Sequence, residues 1–372
     1  MEKTFGVFGQ EDLRSLVKNG RIKPLATFDD SHIGPASIDL TVTDEVYRVK
    51  NLLQPSQLVS ETVRSLIPKM GATKVPLGTT MMVGETYLAK GSIDVNFPPG
   101  MYGYFNAKSS SGRNFLFVRT LADGVHMFDS VDRREKGYTG EVWLVLQPLA
   151  FSIILTNKER YNQLRVFNAD TRFRQADLDV LLEKEDLLFR RKNKEPYAQG
   201  DLSLFTQDGS VLCTLNAPAG KLVGYKTKNS GAPLDLTSRG VDPRDYFEPV
   251  YAESLTEDDT EMGCFRVEGG CHYLLSTNEI FRVPESYTAE LVALDTRLGF
   301  FFTHFAGFFD PGWFGTATLE VYAPYTTILR HKQPIARFIF ECMKSKTTSY
   351  AKTGTYQGQI KTQLPKQFSA KD

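Results

Sequence analysis

Asp310-Pro311-Gly312-Trp313-Phe314-Gly315-Thr316-Ala317-Thr318-Leu319-Glu320 is a tight turn feeding a strand that reaches a carboxylate. Pro and Gly set the turn, and strand alternation then predicts Thr318 and Glu320 exposed on one face, with Leu319 on the other. A strand carboxylate among apolar neighbours is costly unless it is paired or used. A salt-bridged structural glutamate and a general base both fit that position. Far upstream, Lys108-Ser109-Ser110-Ser111-Gly112-Arg113 gathers an ammonium, hydroxyls, a permissive glycine and a guanidinium. With its backbone amides such a loop can cradle a polyphosphate, although a solvated serine-rich turn has the same composition.

Working outward from these stretches, the two halves of the chain align as a repeat. Tyr87-Leu88-Ala89 and Val95-Asn96-Phe97-Pro98 precede the serine loop; Tyr273-Leu274-Leu275 and Phe281-Arg282-Val283-Pro284 precede Ala293-Leu294-Asp295-Thr296-Arg297. Each half continues to an Asp in a turn, Asp129 and Asp310, and then to a Gly opening an apolar run, Gly140 to Val145 and Gly315 to Glu320. Each closes on a strand, Asn162 to Phe167 and Pro334 to Phe340. Frequent Val, Ile, Thr, Tyr and Phe between Gly, Pro, Asn and Asp turn signals predict a mainly β protein. The apolar run Phe300 to Phe305 suits a strand buried in a barrel or sandwich. Helices are expected only around Glu11 to Asn19 and over Gln175 to Lys192, the latter as a connector. The last ~25 residues, polar and without a periodic apolar face, predict a tail that orders only against something else.

The chain of 372 residues is long enough for two domains, and its formal net charge of zero argues against a polynucleotide partner. Cys213, Cys264, Cys271 and Cys342 include no CxxC pair and make no disulfide framework, so free thiols in a reducing cytoplasm are expected. No apolar run approaches the ~18 residues a membrane span needs, and the Met1 end lacks an apolar signal core. Zinc nucleobase deaminases require H-x-E with P-C-x-x-C, which none of His32, His126, His272, His304 and His331 satisfies. A P-loop, a dinucleotide fingerprint and a G-x-S-x-G elbow are absent too.

Together these residues resemble the dCTP deaminase branch of the dUTPase-like superfamily, in its long, duplicated bacterial form. Pro35-Ala36-Ser37-Ile38-Asp39-Leu40 looks like the family's first motif, and Lys108 to Arg113 like its phosphate-binding loop. Asp310-Pro311-Gly312-Trp313, running to Leu319-Glu320, resembles the stretch whose Asp contacts the sugar and whose Glu is the catalytic base. Tyr356-Gln357-Gly358-Gln359 is similar to the C-terminal arm that closes over nucleotide, with Gln359 at a contact position and Tyr350 at another.

The resemblance implies two tandem dUTPase-like β-barrel domains, of β-clip or jelly-roll type, with a few short helices. The expected divisions are 1–170 with the phosphate loop, a helical connector at 171–200, 201–345 with the catalytic Glu, and a closing arm at 346–372. It implies hydrolytic deamination of dCTP to dUTP and ammonia, with Glu320, Ser109 and Arg113 catalytic. Lys108, Ser110, Ser111, Gly112, Asp310, Thr318, Leu319, Tyr350, Tyr356 and Gln359 would bind substrate. Mg²⁺ would ride on the triphosphate, without zinc. Val145 stands where the first copy should carry the Glu, while Ala293 and Leu294 replace serines in the second, although Arg297 remains. In this fold a site takes its loop from one barrel and its Asp/Glu strand from a neighbour, so one composite site is expected and the reciprocal pairing silent. Two repeats do not close a three-fold ring, so self-association as a dimer or trimer is expected. Further hydrolysis to dUMP, or a non-catalytic nucleotide-binding regulator, are the alternatives.

Overall fold

Short β-strands of branched and aromatic residues, separated by glycine turns, build both units of the chain. The structure is a computed structural model, and it describes residues 5–26, 28–132, 134–197, 208–257, 260–294, 306–352 and 354–368. One unit comprises residues 1–171, 229–240 and 343–347, and the other residues 172–228, 241–342 and 348–372.

In the first unit the long strand Thr86–Phe97 is central. It pairs with Ile22–Pro24, Val42–Val49 and Tyr138–Pro148, and the last of these pairs also with Leu116–Ala122. A second sheet runs Ile38–Leu40, Asn162–Phe167, Tyr102–Ala107, Ser130–Val131. The excursion through 229–240 adds Leu234–Asp235 alongside Ile153–Ile154. Residues 343–347 bond to the first helix, Gln10–Lys18, and its surroundings: Lys344 meets Asp12 at 2.5 Å, and Thr347 Oγ1 donates to the Pro35 carbonyl at 2.6 Å.

In the second unit the corresponding sheet runs Ser210–Thr214, Pro334–Cys342, Tyr287–Ala293, Phe308–Phe309, the same order as its counterpart. A further sheet runs Phe247–Tyr251, Leu222–Thr227, Cys271–Ser276, Thr318–Ala323. Its core collects Leu215, Tyr273, Leu275, Phe281, Leu319, Val321, Ala323 and Phe338.

Two expectations are corrected. The helix begun at Gln175 stops at Leu182, and Leu188–Arg190 is a strand paired with Glu279–Arg282. Leu178, Leu181, Leu187 and Leu188 all bury in the second unit's core, which explains apolar spacing that only approximates a longer helix. The C-terminal tail is ordered against its own unit: Phe368 lies edge-on to Tyr246 and Phe247, and Gln367 is buried. The Phe300 to Phe305 run lies outside the described residues, as does Arg297. Among the described residues no helix is long and apolar enough to cross a membrane.

Candidate active site

Lys108 leaves the strand Tyr102–Ala107 in an extended conformation and caps a single helical turn, Ser109–Arg113. The turn consumes part of the loop's hydrogen-bonding capacity. The Ser111 and Gly112 amides donate to the Lys108 carbonyl at 2.9 and 3.0 Å, and the Ser111 hydroxyl donates to the Tyr161 carbonyl at 3.1 Å. Ser110 Oγ donates to Glu159 at 3.4 Å, and Arg113 is buried. Lys108 and Ser109 are half-buried.

The first motif meets this loop. Asp39 accepts from Lys108 Nζ at 2.7 Å through one oxygen and from Arg160 at 3.2 Å through the other. Gln163 accepts from Lys108 at 3.3 Å and from Ser37 at 3.0 Å. Asp39 is the charge partner that holds Lys108 in place, and Arg160 is a nearby cation that the sequence reading passed over.

In the second unit the Asp310 turn is pinned at both ends. Gly312 donates to the Val283 carbonyl, Val283 donates to that of Trp313, and the Trp313 amide returns to the Asp310 carbonyl. Gly312 sits at φ 84°, a left-handed conformation that glycine adopts without strain. The strand that follows pairs antiparallel with Cys271–Ser276, setting Thr318 against Ser276, Leu319 against Leu275 and Glu320 against Leu274. Leu319 and Val321 enter the core as alternation requires. The other face is not open, however: Thr318 and Glu320 are buried, Glu320 at 1% exposure, and exposure returns only at Tyr322.

The arm supplies part of that cover. Gln359 Nε2 donates to the Thr316 carbonyl at 2.5 Å and to Thr318 Oγ1 at 3.3 Å, and the Gln359 carbonyl accepts from the Thr316 amide. Gly358 donates to Phe314, and Gln357 bonds Phe314 and Gly312. Tyr350 donates its amide to the Pro311 carbonyl, and its ring leans on Trp313. Tyr356 is buried in the unit's core. The glycines of the turn make room for this arm. A Cβ on Gly312 would lie 1.9 Å from Ser349 Oγ, and one on Gly315 would lie 2.9 Å from the Gln359 carbonyl oxygen.

Arg191 also escaped sequence reasoning. Its guanidinium donates to Ser276 Oγ, to the Thr277 carbonyl at 2.8 Å and to the Ile360 carbonyl. Burial pushes its pKa down to about 10, against the opposing charge of Glu279. Among the described residues no group of three His, Cys, Asp or Glu side chains could hold a metal ion.

Val145 occupies, in the first unit, the register that Glu320 occupies in the second. It lies opposite Leu88 in Thr86–Phe97, as Glu320 lies opposite Leu274.

Two units of short β-strands, one with a cationic serine loop and one with a buried strand glutamate, make up the chain. Residues 4–170 match the N-terminal domain, and residues 176–368 the C-terminal domain, of 2'-deoxycytidine 5'-triphosphate deaminase. The chain belongs to this family, whose members deaminate dCTP. Among solved structures it is similar to 2'-deoxycytidine 5'-triphosphate deaminase from Agrobacterium tumefaciens, at 25% identity and a TM-score of 0.79, over 92% of this chain and 97% of that one. That likeness is to a dUTPase-like fold. No curated protein matches the chain.

Proposed function

We propose that Glu320 is the general base in the hydrolytic deamination of dCTP to dUTP and ammonia. It takes one proton from the water that attacks C4 of the cytosine and passes it to N3. It then takes the proton of the new C4 hydroxyl and passes it to the amine, which leaves as ammonia while the C4 carbonyl forms. The observation that carries this reading is a fully buried carboxylate on a strand whose neighbour, Thr318, is held by the arm's Gln359. Ser109 and Arg113 position phosphate and water, with Lys108 and Ser110 on the triphosphate, while Ser111 and Gly112 shape the turn. Asp310 orients the deoxyribose; Thr318, Leu319, Gln359, Tyr350 and Tyr356 frame the nucleoside. Mg²⁺ is carried on substrate phosphates, a reading supported by Asp39, whose two oxygens are already bonded to Lys108 and Arg160.

We also infer that the two units descend from one module. The matching strand order and the shared register of Val145 and Glu320 support this. The loop and the glutamate strand, one in each unit, then serve one reaction in an oligomer of the chain. Incubation with dCTP and Mg²⁺, resolving dUTP, dUMP, ammonia and pyrophosphate, tests the reaction. Equimolar ammonia and dUTP support deamination alone, and dUMP with pyrophosphate shows further hydrolysis. Mixing R113A with E320Q chains tests the division of labour: regained turnover means that different copies supply the loop and the base.

A further inference from the structure

Arg191 stands immediately after the strand Leu188–Arg190, within the run Arg190-Arg191-Lys192 that reads as a solvated basic face. Its guanidinium instead turns inward and bonds neutral acceptors from two places far apart in sequence. On one side are Ser276 Oγ and the Thr277 carbonyl, at the end of Cys271–Ser276; on the other is the Ile360 carbonyl in the arm. Ser276 is the ladder partner of Thr318, and Ile360 follows Gln359, which bonds Thr318 and Thr316. These contacts close a ring: Arg191 to Ser276, across the ladder to Thr318, on to Gln359, and through Ile360 back to Arg191.

The ring encloses the start of the strand that carries Glu320, where the Thr316 amide and carbonyl both bond Gln359. A planar fork of fixed donors suits such a junction, since its separate nitrogens reach acceptors on two segments at once, Nη1 on Ser276 and Thr277 and Nη2 on Ile360. The Thr277 side chain extends the junction inward, because its Oγ1 accepts from the Ala317 amide just before Thr318.

We propose that Arg191 is a positioning residue that latches the C-terminal arm onto the strand bearing Glu320, so that arm closure and the Thr318 end of the site are set together. The proposal rests on the assignment of Glu320 and the arm to the active site. Arg191 acts through Gln359 and Ser276.

Hydrogen exchange read together with steady-state kinetics on the full-length protein tests the latch. In R191A the amides of Thr316 and Gly358, which bond Gln359 and Phe314, should lose protection while the ladder amides of Cys271–Ser276 keep theirs. KM for dCTP should rise about tenfold or more, with a smaller change in kcat. R191K, retaining the charge on a compact ammonium without the planar fork, should recover part of both effects. Unchanged arm exchange and unchanged KM in R191A would overturn the latch. Equal loss of protection in arm and ladder would overturn it too, reducing Arg191 to a general support of the fold; should R191A not fold, the same readouts on R191K decide. A fully active E320Q would sink the active-site assignment instead, and the exchange result would still decide whether Arg191 holds the arm.

Discussion

The strands Tyr138–Pro148 and Thr318–Ala323 share a register and diverge in what covers them. In the first, the face bearing Trp143 and Val145 meets Leu88, Leu121 and a helical insert that brings Val63, Leu66, Ile67 and Met70 into one apolar cluster. Trp143 is fixed further: its ring nitrogen donates to Glu141 at 3.0 Å, and the Arg64 guanidinium lies 5.2 Å from its ring centre. In the second, the same two positions are Thr318 and Glu320, and the cover on Thr318 is a glutamine from the arm. Burying apolar side chains contributes roughly 1.5–3 kcal/mol each, whereas burying a carboxylate costs stability. One copy of the register is packed with apolar side chains, and the other carries a buried hydroxyl and a buried carboxylate.

The comparison breaks most visibly if Glu320 is dispensable. E320Q preserves shape and should lower kcat by about 10²–10⁴-fold, measured as ammonia release, with melting little changed. Turnover near wild type would end the assignment. V145E should not restore a second site. It places a carboxylate into the apolar cluster of the first unit, and should destabilise by about 3 kcal/mol or more in denaturant titration. A several-fold gain in activity per chain would instead show both registers competent. L66A, a buried member of that cluster, should cost about 2–5 kcal/mol with kcat/KM per folded molecule retained.

A pH titration separates the two strands further. His272, opposite Tyr322 on the glutamate strand's neighbour, has its pKa lowered by burial to about 4 from an ordinary 6.5. The fold favours the neutral ring while the unfolded chain binds a proton near 6.5, so stability is full above that value. It drains as pH falls, until the folded ring protonates near 4. By pH 5 the loss should be on the order of 2 kcal/mol, and H272F should remove that part of the acid sensitivity in urea melts at pH 7.5 and 5.

Much of this architecture is legible because turn chemistry and strand composition are local. Pro311 and Gly312 announce the turn, and the match of Tyr87-Leu88-Ala89 to Tyr273-Leu274-Leu275 predicts the register that sets Val145 against Glu320. What escaped is non-local. Arg191 reads as one charge in a basic run, and only its partners at 276, 277 and 360 bring it inside. Asp39 and Lys108 are far apart in sequence, so their pairing needed the fold. The burial of Thr318 and Glu320 was hidden for a related reason: alternation predicts which face a residue takes, but not what later covers it. The helix expected to reach Lys192 failed because Leu188 buries from a strand as well as it would from a helical stripe, with Leu187 buried just before it.

The smallest expected effect tests whether the two covers differ in kind. The insert over Val145 is packed by apolar side chains, whereas the arm meets the turn largely through hydrogen bonds, of backbone and of Gln357 and Gln359, with two glycines making room for it. Gly315 has the Gln359 backbone against it, and Gly312 has Ser349 against it while its φ of 84° adds strain for any other residue. Left-handed strain amounts to about 1–2 kcal/mol, on the scale of a tenfold change in an equilibrium. G312A and G315A should therefore loosen the arm and raise KM for dCTP roughly tenfold, with only a small loss of global stability. L66A should do the reverse, lowering stability and leaving KM alone. If the glycine variants instead melted the second unit while KM held, the arm would be as permanent a part of its barrel as the insert is of the other.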